Sequence, residues 1–464
     1  MWDRLKSFLN PIDARFEDMT RDNWRGVVLR DLSAGLIVAM MAIPMAMGFA
    51  MAAGLRPENG LFAGAIAGIV GGLFGGSKYN VYGPVAALIP VIAGVMAAYA
   101  TPADPYAGHG YLVLICMCAG PILILCALLG WGKLGNLVPH SIVVGFSVGI
   151  AMTIGMTQLE EVLGLETEVE GPLLQQFQIL HDHLHQASGA AVILGGLTFL
   201  ITHSLLKISR YIPAPIFALG IGTLLAATVF AKSDLTLIGT RYGEIPTDFL
   251  HISLPTLPSW DLATLGELAY YSLAFAFVCG FESLLCARMA DNLAGNRGTP
   301  YDPDKEFWGQ GLILLFVPLL RGMPLSGALA RTTTKVVVGG VTPLSELSKS
   351  VLKLLLIFFL ARYLEMVPMA CIGGIMLWVA FNMVKPVQIK AVWHSNRFHA
   401  WLMVYTAVTV FIFGFLEGVL SATFIYGVLF KFLDKPAAEH RQSEGCPSAV
   451  DKVHPVTAAA SESK

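Results

Sequence analysis

The chain has 464 residues, enough for two or three soluble domains, yet 55% of them are hydrophobic and only 13% are charged. A soluble protein of this size needs more charge to cover its surface, and the mean hydropathy of +0.66 agrees; collagen-like, disordered and disulfide-scaffold classes fail on the same figures. The net charge of −2 leaves no basic excess for nucleic acid, so an all-α polytopic membrane protein remains, with the lipid bilayer as its surroundings.

Residues 1–30 mix both charges and lack a continuous apolar core, so they read as a cytosolic lead-in and not as a signal peptide. Apolar stretches then run over 32–54, 58–76, 83–100, 111–130, 137–157, 189–206 and 212–231. A second set runs over 265–287, 306–320, 326–340, 348–364, 367–384, 398–413 and 415–433. Together they predict a transmembrane domain over 31–435, although several stretches fall short of the ~20 residues of a straight span. Fourteen segments divide as seven plus seven, and an odd number per half inverts the second half in the membrane. Repeats over about 31–231 and 260–435 follow from that division. Lys and Arg counted as loop residues, among them Lys78, Lys133, Lys207, Lys305, Lys349, Lys385 and Lys390, fall mostly after even segments. That bias predicts both termini on the cytosolic side, and the lack of a signal peptide is read as placing the chain in the cell inner membrane. The polar, small-residue tail 436–464 is expected to be disordered.

Segments three and ten open with helix-breaking or small residues: Pro84, Val85, Ala86 and Ala87 in one, Ser326, Gly327, Ala328, Leu329 and Ala330 in the other. They match under a shift of seven, as the interrupted segments of inverted-repeat transporters do. A helix that begins within the membrane points free N–H groups and a positive dipole end at the midplane. Two such ends facing each other form an anion site with little side-chain charge. A Pro-kinked ordinary helix is the competing reading. Arg331 follows the second of these starts, where it can pair with an anion, pair with Glu282 or snorkel to the interface.

Glu282 is a carboxylate near the end of a long apolar run. Such a residue is costly in lipid and faces a cavity, a partner or a proton path. Burial of a carboxylate favours its neutral form, which suits proton coupling. Asp291, Asn292 and Asn296, which follow it, suit loop capping. The alternating His181, His183 and His185 read as a solvated loop, since alternate positions on a helix point apart. Gly64, Gly68 and Gly72 have the small-residue spacing of packed membrane helices. The seven cysteines show no CxxC spacing and read as packing residues. No Walker A, GxSxG or HExxH sequence occurs, so neither an enzyme nor an ATP-driven pump is expected, and no cofactor or metal.

Residues 42–88, 138–165 and 281–345 resemble, in order, the signature blocks of the sulfate permease (SulP) anion transporters, and the similarity covers about 30–433. ESLLCA and WVAFNM resemble the C4-dicarboxylate branch of that family in bacteria. The resemblance implies a fourteen-helix inverted repeat with core and gate domains and elevator-like movement. It implies an anion site between the starts of helices three and ten. Glu282 stands where proton-coupled members carry Glu, and Cys286 stands where a sodium-coupled bicarbonate member has a Thr ligand, which argues against sodium. Met45 and Phe49 stand where many members have Gln and Tyr, making the site more apolar; Ala330 replaces a common Ser. The STAS domain that most members carry after the membrane part is not expected within the tail 436–464, so a homodimer is expected to lack the family's usual route through it. The expectation is therefore a secondary anion transporter, proton-coupled, for a C4-dicarboxylate or bicarbonate. The alternatives are a sulfate transporter, an anion exchanger or an uncoupled anion channel of the same fold.

Overall fold

The computed structural model describes residues 2–433 except 102–103, 134–138, 166–172, 210, 249–250, 258–260 and 297. The tail expected over 436–464 lies outside the described residues. The first half contains α1 (Trp2–Leu9), α2 (Trp24–Ala52), α3 (Pro57–Phe74), a two-residue strand β1 (Tyr82–Gly83), α4 (Ile89–Tyr99), α5 (Gly108–Leu129), α6 (His140–Leu163), α7 (Leu173–His183), α8 (Gly189–Ile208) and α9 (Ala214–Thr228). After the short α10 (Ile238–Tyr242) come α11 (Leu262–Ala294), α12 (Pro303–Leu319), the strand β2 (Ser326–Gly327), α13 (Leu329–Val337), α14 (Leu344–Glu365), α15 (Met369–Met383), α16 (Pro386–Ser395), α17 (Arg397–Phe413) and α18 (Phe415–Leu433).

A helix lies on each of the apolar stretches. Among the described residues, six are long and apolar enough to cross a bilayer by length and composition: α2, α5, α6, α8, α11 and the α15–α16 stretch. The others are shorter or more polar, and α4 and α13 are half-length because each begins at the β1–β2 ribbon. Local chemistry sets the ends. Pro57 occupies the first turn of α3, where its missing N–H costs nothing. Gly130 ends α5 in the left-handed region, at φ +77°. The helix α11 runs on to Ala294, beyond the end of its apolar stretch, and Asp291 then caps the turn by accepting from the Tyr301 N–H at 2.7 Å and Asn296 Nδ2 at 2.9 Å. His181 and His183 lie on the last turn of α7 and not in a loop.

The glycine stripe of α3 packs against α14. A Cβ at Gly64 would come within 2.8 Å of Lys353 Nζ, one at Gly68 would collide with the Ser350 hydroxyl, and one at Gly72 would come within 3.0 Å of Leu347. Small residues therefore do more here than bring two backbones together: they make room for the polar heads of the facing helix.

Three of the lysines counted above as loop charges are not exposed loop charges: Lys305 and Lys349 lie on α12 and α14, and Lys78 lies in the segment between α3 and β1. Lys78, Lys305 and Lys349 are all buried. Lys78 pairs with Asp18 at 2.6 Å, Lys305 with Asp13 at 2.6 Å and Lys349 with Glu346 at 2.5 Å. Each lay between or at the edge of apolar stretches, and a charge there reads as a loop until its partner is seen.

The first two of these pairs fasten the N-terminal lead-in. Lys305 Nζ also donates to the carbonyls of Ser7 and Asn10, and Arg15 donates to the carbonyls of Gly72 and Leu73. Phe8 packs on Trp308 at 5.7 Å between ring centres. Burial acts to raise the Asp13 carboxyl, but the Lys305 ammonium and Arg15 guanidinium outweigh it and hold Asp13 below its ordinary value. A depressed carboxyl contributes docking strength that is full above about pH 4, the unfolded value, and is lost as pH falls through the folded value. We predict that Asp13→Asn speeds amide hydrogen exchange over residues 14–17 roughly tenfold at pH 7, the equivalent of about 1.4 kcal/mol. Exchange at the wild-type rate in this variant would show that the ion pair does not hold the lead-in.

Candidate functional site

Two extended dipeptides meet at the centre of the site. Tyr82 is in register with Gly327 and Gly83 with Ser326, antiparallel. β1 leads through Pro84 and Val85 into a 3-10 turn over Ala86–Leu88 and then into α4; β2 leads through Ala328 into α13. Because the strands are antiparallel, the two helices leave the ribbon in opposite directions, each with its N-terminus toward it. Neither N-cap residue, Val85 or Ala328, caps its helix with a side chain. The first-turn amides and positive dipole ends of both therefore remain available beside the ribbon.

The expected site residues mostly converge. Pro84, Val85, Ala86, Ala87, Ser326, Gly327, Ala328 and Arg331 are buried at the ribbon. Met45 and Phe49, on α2, belong to the same buried apolar cluster as Val85, Ala86, Ala87 and Ala328. Leu329 is half-buried, whereas Ala330 is exposed and its carbonyl accepts from the Thr334 hydroxyl at 3.0 Å. Glu282, on α11, accepts a hydrogen bond from Ser326 Oγ at 2.6 Å, so the carboxylate is tied to the strand itself. Arg331 is 2% exposed, which excludes snorkelling. Its guanidinium donates to the carbonyl of Pro84 and forms no ion pair among the described residues. It is thus not paired with Glu282, and it links α13 to the start of the other half. A side chain at Gly83 would run into that guanidinium and displace it from the Pro84 carbonyl.

Two polar groups that hold this ribbon escaped the sequence reading. Glu306, on α12, is 0% exposed. Its carboxylate accepts from the N–H groups of Gly76 at 2.8 Å and Ser77 at 3.2 Å. It also accepts from Asn80 Nδ2 at 2.7 Å, the Tyr82 hydroxyl at 2.9 Å and the Ser283 hydroxyl at 2.5 Å. Five neutral donors solvate this charge and at the same time fix the whole approach to β1. The second group is the Glu346–Lys349 pair on α14. Glu346 Oε1 accepts from the Tyr82 N–H at 3.1 Å, and Lys349 Nζ donates to the Tyr82 carbonyl at 2.9 Å. The pair thus engages both backbone groups of one strand residue. Its signal was present: Glu346, Lys349 and Lys353 recur at a spacing that places them on one face of a helix.

Thr332 completes the cradle. Its hydroxyl accepts from the Val81 N–H at 2.9 Å, and the Ala328 N–H donates to the Val81 carbonyl at 2.7 Å. Cys286 Sγ lies 3.2 Å from the same hydroxyl. Among the described residues no group of three His, Cys, Asp or Glu side chains is placed to hold a metal ion. The arrangement offers amide donors, helix dipoles and a buried guanidinium to an anion, and one carboxylate beside it.

Comparison with known proteins agrees with this architecture. The model of the sulfate permease family matches residues 28–423. YvdB of Bacillus subtilis, which is named as a candidate sulfate transporter, is 32% identical over 440 residues, spanning 92% of this chain and 77% of the relative. The bicarbonate transporter BicA of Picosynechococcus is 28% identical over 359 residues, 76% of this chain and 61% of the relative. The solved transmembrane domain of a cyanobacterial BicA superposes with a TM-score of 0.74 at 25% identity, covering 84% of this chain and 97% of that one. The murine anion transporter Slc26a9, solved in an inward-facing state, shares the fold with a TM-score of 0.75 at 19% identity, over 87% of this chain and 68% of that one. A helical membrane fold common to transporters, and not an enzyme fold, carries the ribbon and its two helix starts; the chain belongs to the sulfate permease family.

Proposed function

We propose that the chain is a secondary active transporter of a small anion, coupled to protons. The anion rests on the amides and dipole ends at the starts of the 86–99 helical stretch and α13, with Arg331 behind them. Glu282 takes up a proton, which removes a negative charge from beside the anion. The observation that carries the reading is the antiparallel ribbon, from which two helices depart in opposite directions while the Glu282 carboxylate is bonded to its Ser326. Coupling requires that the anion bind the protonated and deprotonated states with different affinity, and a carboxylate bonded to the ribbon itself would supply that difference.

The names of relatives support sulfate and bicarbonate as anions; the C4-dicarboxylate reading rests on the short motifs ESLLCA and WVAFNM alone. A 7+7 inverted repeat of fourteen segments with core and gate parts is the organisation that best accounts for a helix at each apolar stretch and for half-helices at the third and tenth. Alternating access of the elevator type, in the inner membrane with both termini cytosolic, completes the proposal. With Lys78, Lys305 and Lys349 removed from the loop charges, the Lys/Arg bias behind that orientation narrows but keeps its sign.

Uptake of labelled sulfate, bicarbonate and fumarate into proteoliposomes, with and without an inward proton gradient, tests the reading. Saturable uptake of one anion, stimulated several-fold by the gradient, is expected. In Glu282→Gln, uptake without a gradient should persist while the stimulation falls to about unity; a full response to the gradient in this variant would remove Glu282 from coupling. In Ala87→Trp and Ala328→Trp, the indole fills the space beside the helix starts. Uptake should drop below about 5% of wild type in protein that still elutes as a single species. Normal flux in both variants overturns the placement of the anion.

A further inference from the structure

The short helix α16 lies between α15 and α17, far in sequence from every group that holds the ribbon. Val384 and Lys385 are extended and Pro386 opens the helix, so α16 is a separate element and not a continuation of α15. One face of it is packed: Ile389 and Val392, one turn apart, lie against Val144 of α6 and Met403 of α17. The other face is bare. Val387 is 81% exposed and Trp393 is 59% exposed, and the exposed Lys390 lies one turn from each of them. α16 ends at Ser395, and Asn396 caps α17 at once by accepting from the Phe398 N–H at 3.1 Å. The helix is thus held at the ends of the apolar helices by its inner face.

The charges at this end have one sign. Lys385, Lys390 and Arg397 are exposed, as is Lys207 at the end of α8. The rings of His203 on α8 and Phe381 on α15 meet at 5.8 Å between centres, so α8 and α15 end side by side. None of these four cations forms an ion pair among the described residues. The sequence holds no Asp or Glu over 183–233 or 366–416, so the segments that carry the cations supply no acid to them. Elsewhere acids accompany the basic residues. Asp22 and Asp31 stand among Arg21, Arg25 and Arg30, and Asp13 and Asp18 pair with Lys305 and Lys78.

Free ammonium and guanidinium groups beside an exposed tryptophan and valine, where apolar helices end, match the boundary of a bilayer. There the apolar side chains enter the acyl region while the long cationic stems reach the level of the phosphates. Zwitterionic lipid offers these cations no net charge, whereas an anionic lipid offers a full one. We infer that α16, with Lys207, Lys385 and Arg397 beside it, is an interaction surface for the headgroups of anionic phospholipids of the phosphatidylglycerol type. The side chains that hold the ribbon come from α11, α12, α13 and α14, so this surface is separate from the anion site and independent of the transport reading.

The test titrates the full chain in a neutral detergent with short-chain phosphatidylglycerol, short-chain phosphatidylcholine and inorganic phosphate, and counts bound lipid by native mass spectrometry. Wild type should bind phosphatidylglycerol at least about tenfold tighter than phosphatidylcholine. The triple variant Lys385→Gln, Lys390→Gln, Arg397→Gln should bring that ratio to within about twofold of unity, and the double variant Lys385→Arg, Lys390→Arg, which keeps the charge, should preserve it. Equal affinity of wild type for the two lipids overturns the inference, as does a triple variant that keeps the wild-type ratio. Inorganic phosphate that displaces the lipid at equal concentration assigns the cations to a free anion and overturns the lipid as occupant. If the triple variant does not fold, Lys390→Gln alone decides: a fall of about fivefold in the ratio is expected, and an unchanged ratio overturns the inference.

Discussion

The pairing of Tyr82–Gly83 with Ser326–Gly327 is the contact on which the site depends. Backbone that is neither helical nor part of a closed barrel is costly inside a membrane protein, because each free N–H or C=O lacks water. Two residues per strand cannot solve this alone. The remaining groups are met by side chains brought from other helices: Glu306 for Gly76 and Ser77, Thr332 for Val81, Glu346 and Lys349 for Tyr82, Arg331 for Pro84. The ribbon is thus a junction of α11, α12, α13 and α14, and the two helix starts are placed by all four.

This arrangement concentrates charge where charge is expensive. A buried ion pair generally returns little net stability, because desolvation of both partners opposes their attraction. The Glu346–Lys349 pair has a further function, since its two heads replace the strand neighbour that Tyr82 would otherwise need. Glu306 does the same work with one charge and five neutral donors. These groups define the geometry of the polar backbone more than they add to stability, and α3 accommodates them by presenting glycine where they stand.

The sequence disclosed the two helix starts because Pro84 and the small residues around Ser326 interrupt apolar runs, and it disclosed Glu282 because a lone acid in such a run is conspicuous. The partners of these residues were not legible. Nothing local connects Arg331 to the Pro84 carbonyl, which is 247 residues away in sequence. Lys305, Glu306, Glu346 and Lys349 lay at or just outside the edges of apolar stretches, and a window that scores hydrophobicity assigns such charges to loops. Periodicity was the missing signal: Glu346, Lys349 and Lys353 share a helix face, which a count of charges per loop does not detect. Gly64, Gly68 and Gly72 were read correctly as a packing stripe, but the polar character of the surface they pack on belongs to α14.

The same stripe sets how this region tolerates change. Any single-base substitution in a glycine codon that alters the residue installs a side chain, from alanine to tryptophan. At Gly68 that atom would meet Ser350, Glu346 and Lys349, and at Gly71 it would enter the ring of Tyr82. Even alanine, the smallest replacement reachable in one step, requires side chains of α14 or the Tyr82 ring to shift at these positions. These positions and their facing residues therefore form a unit in which a change at one is felt directly by the others.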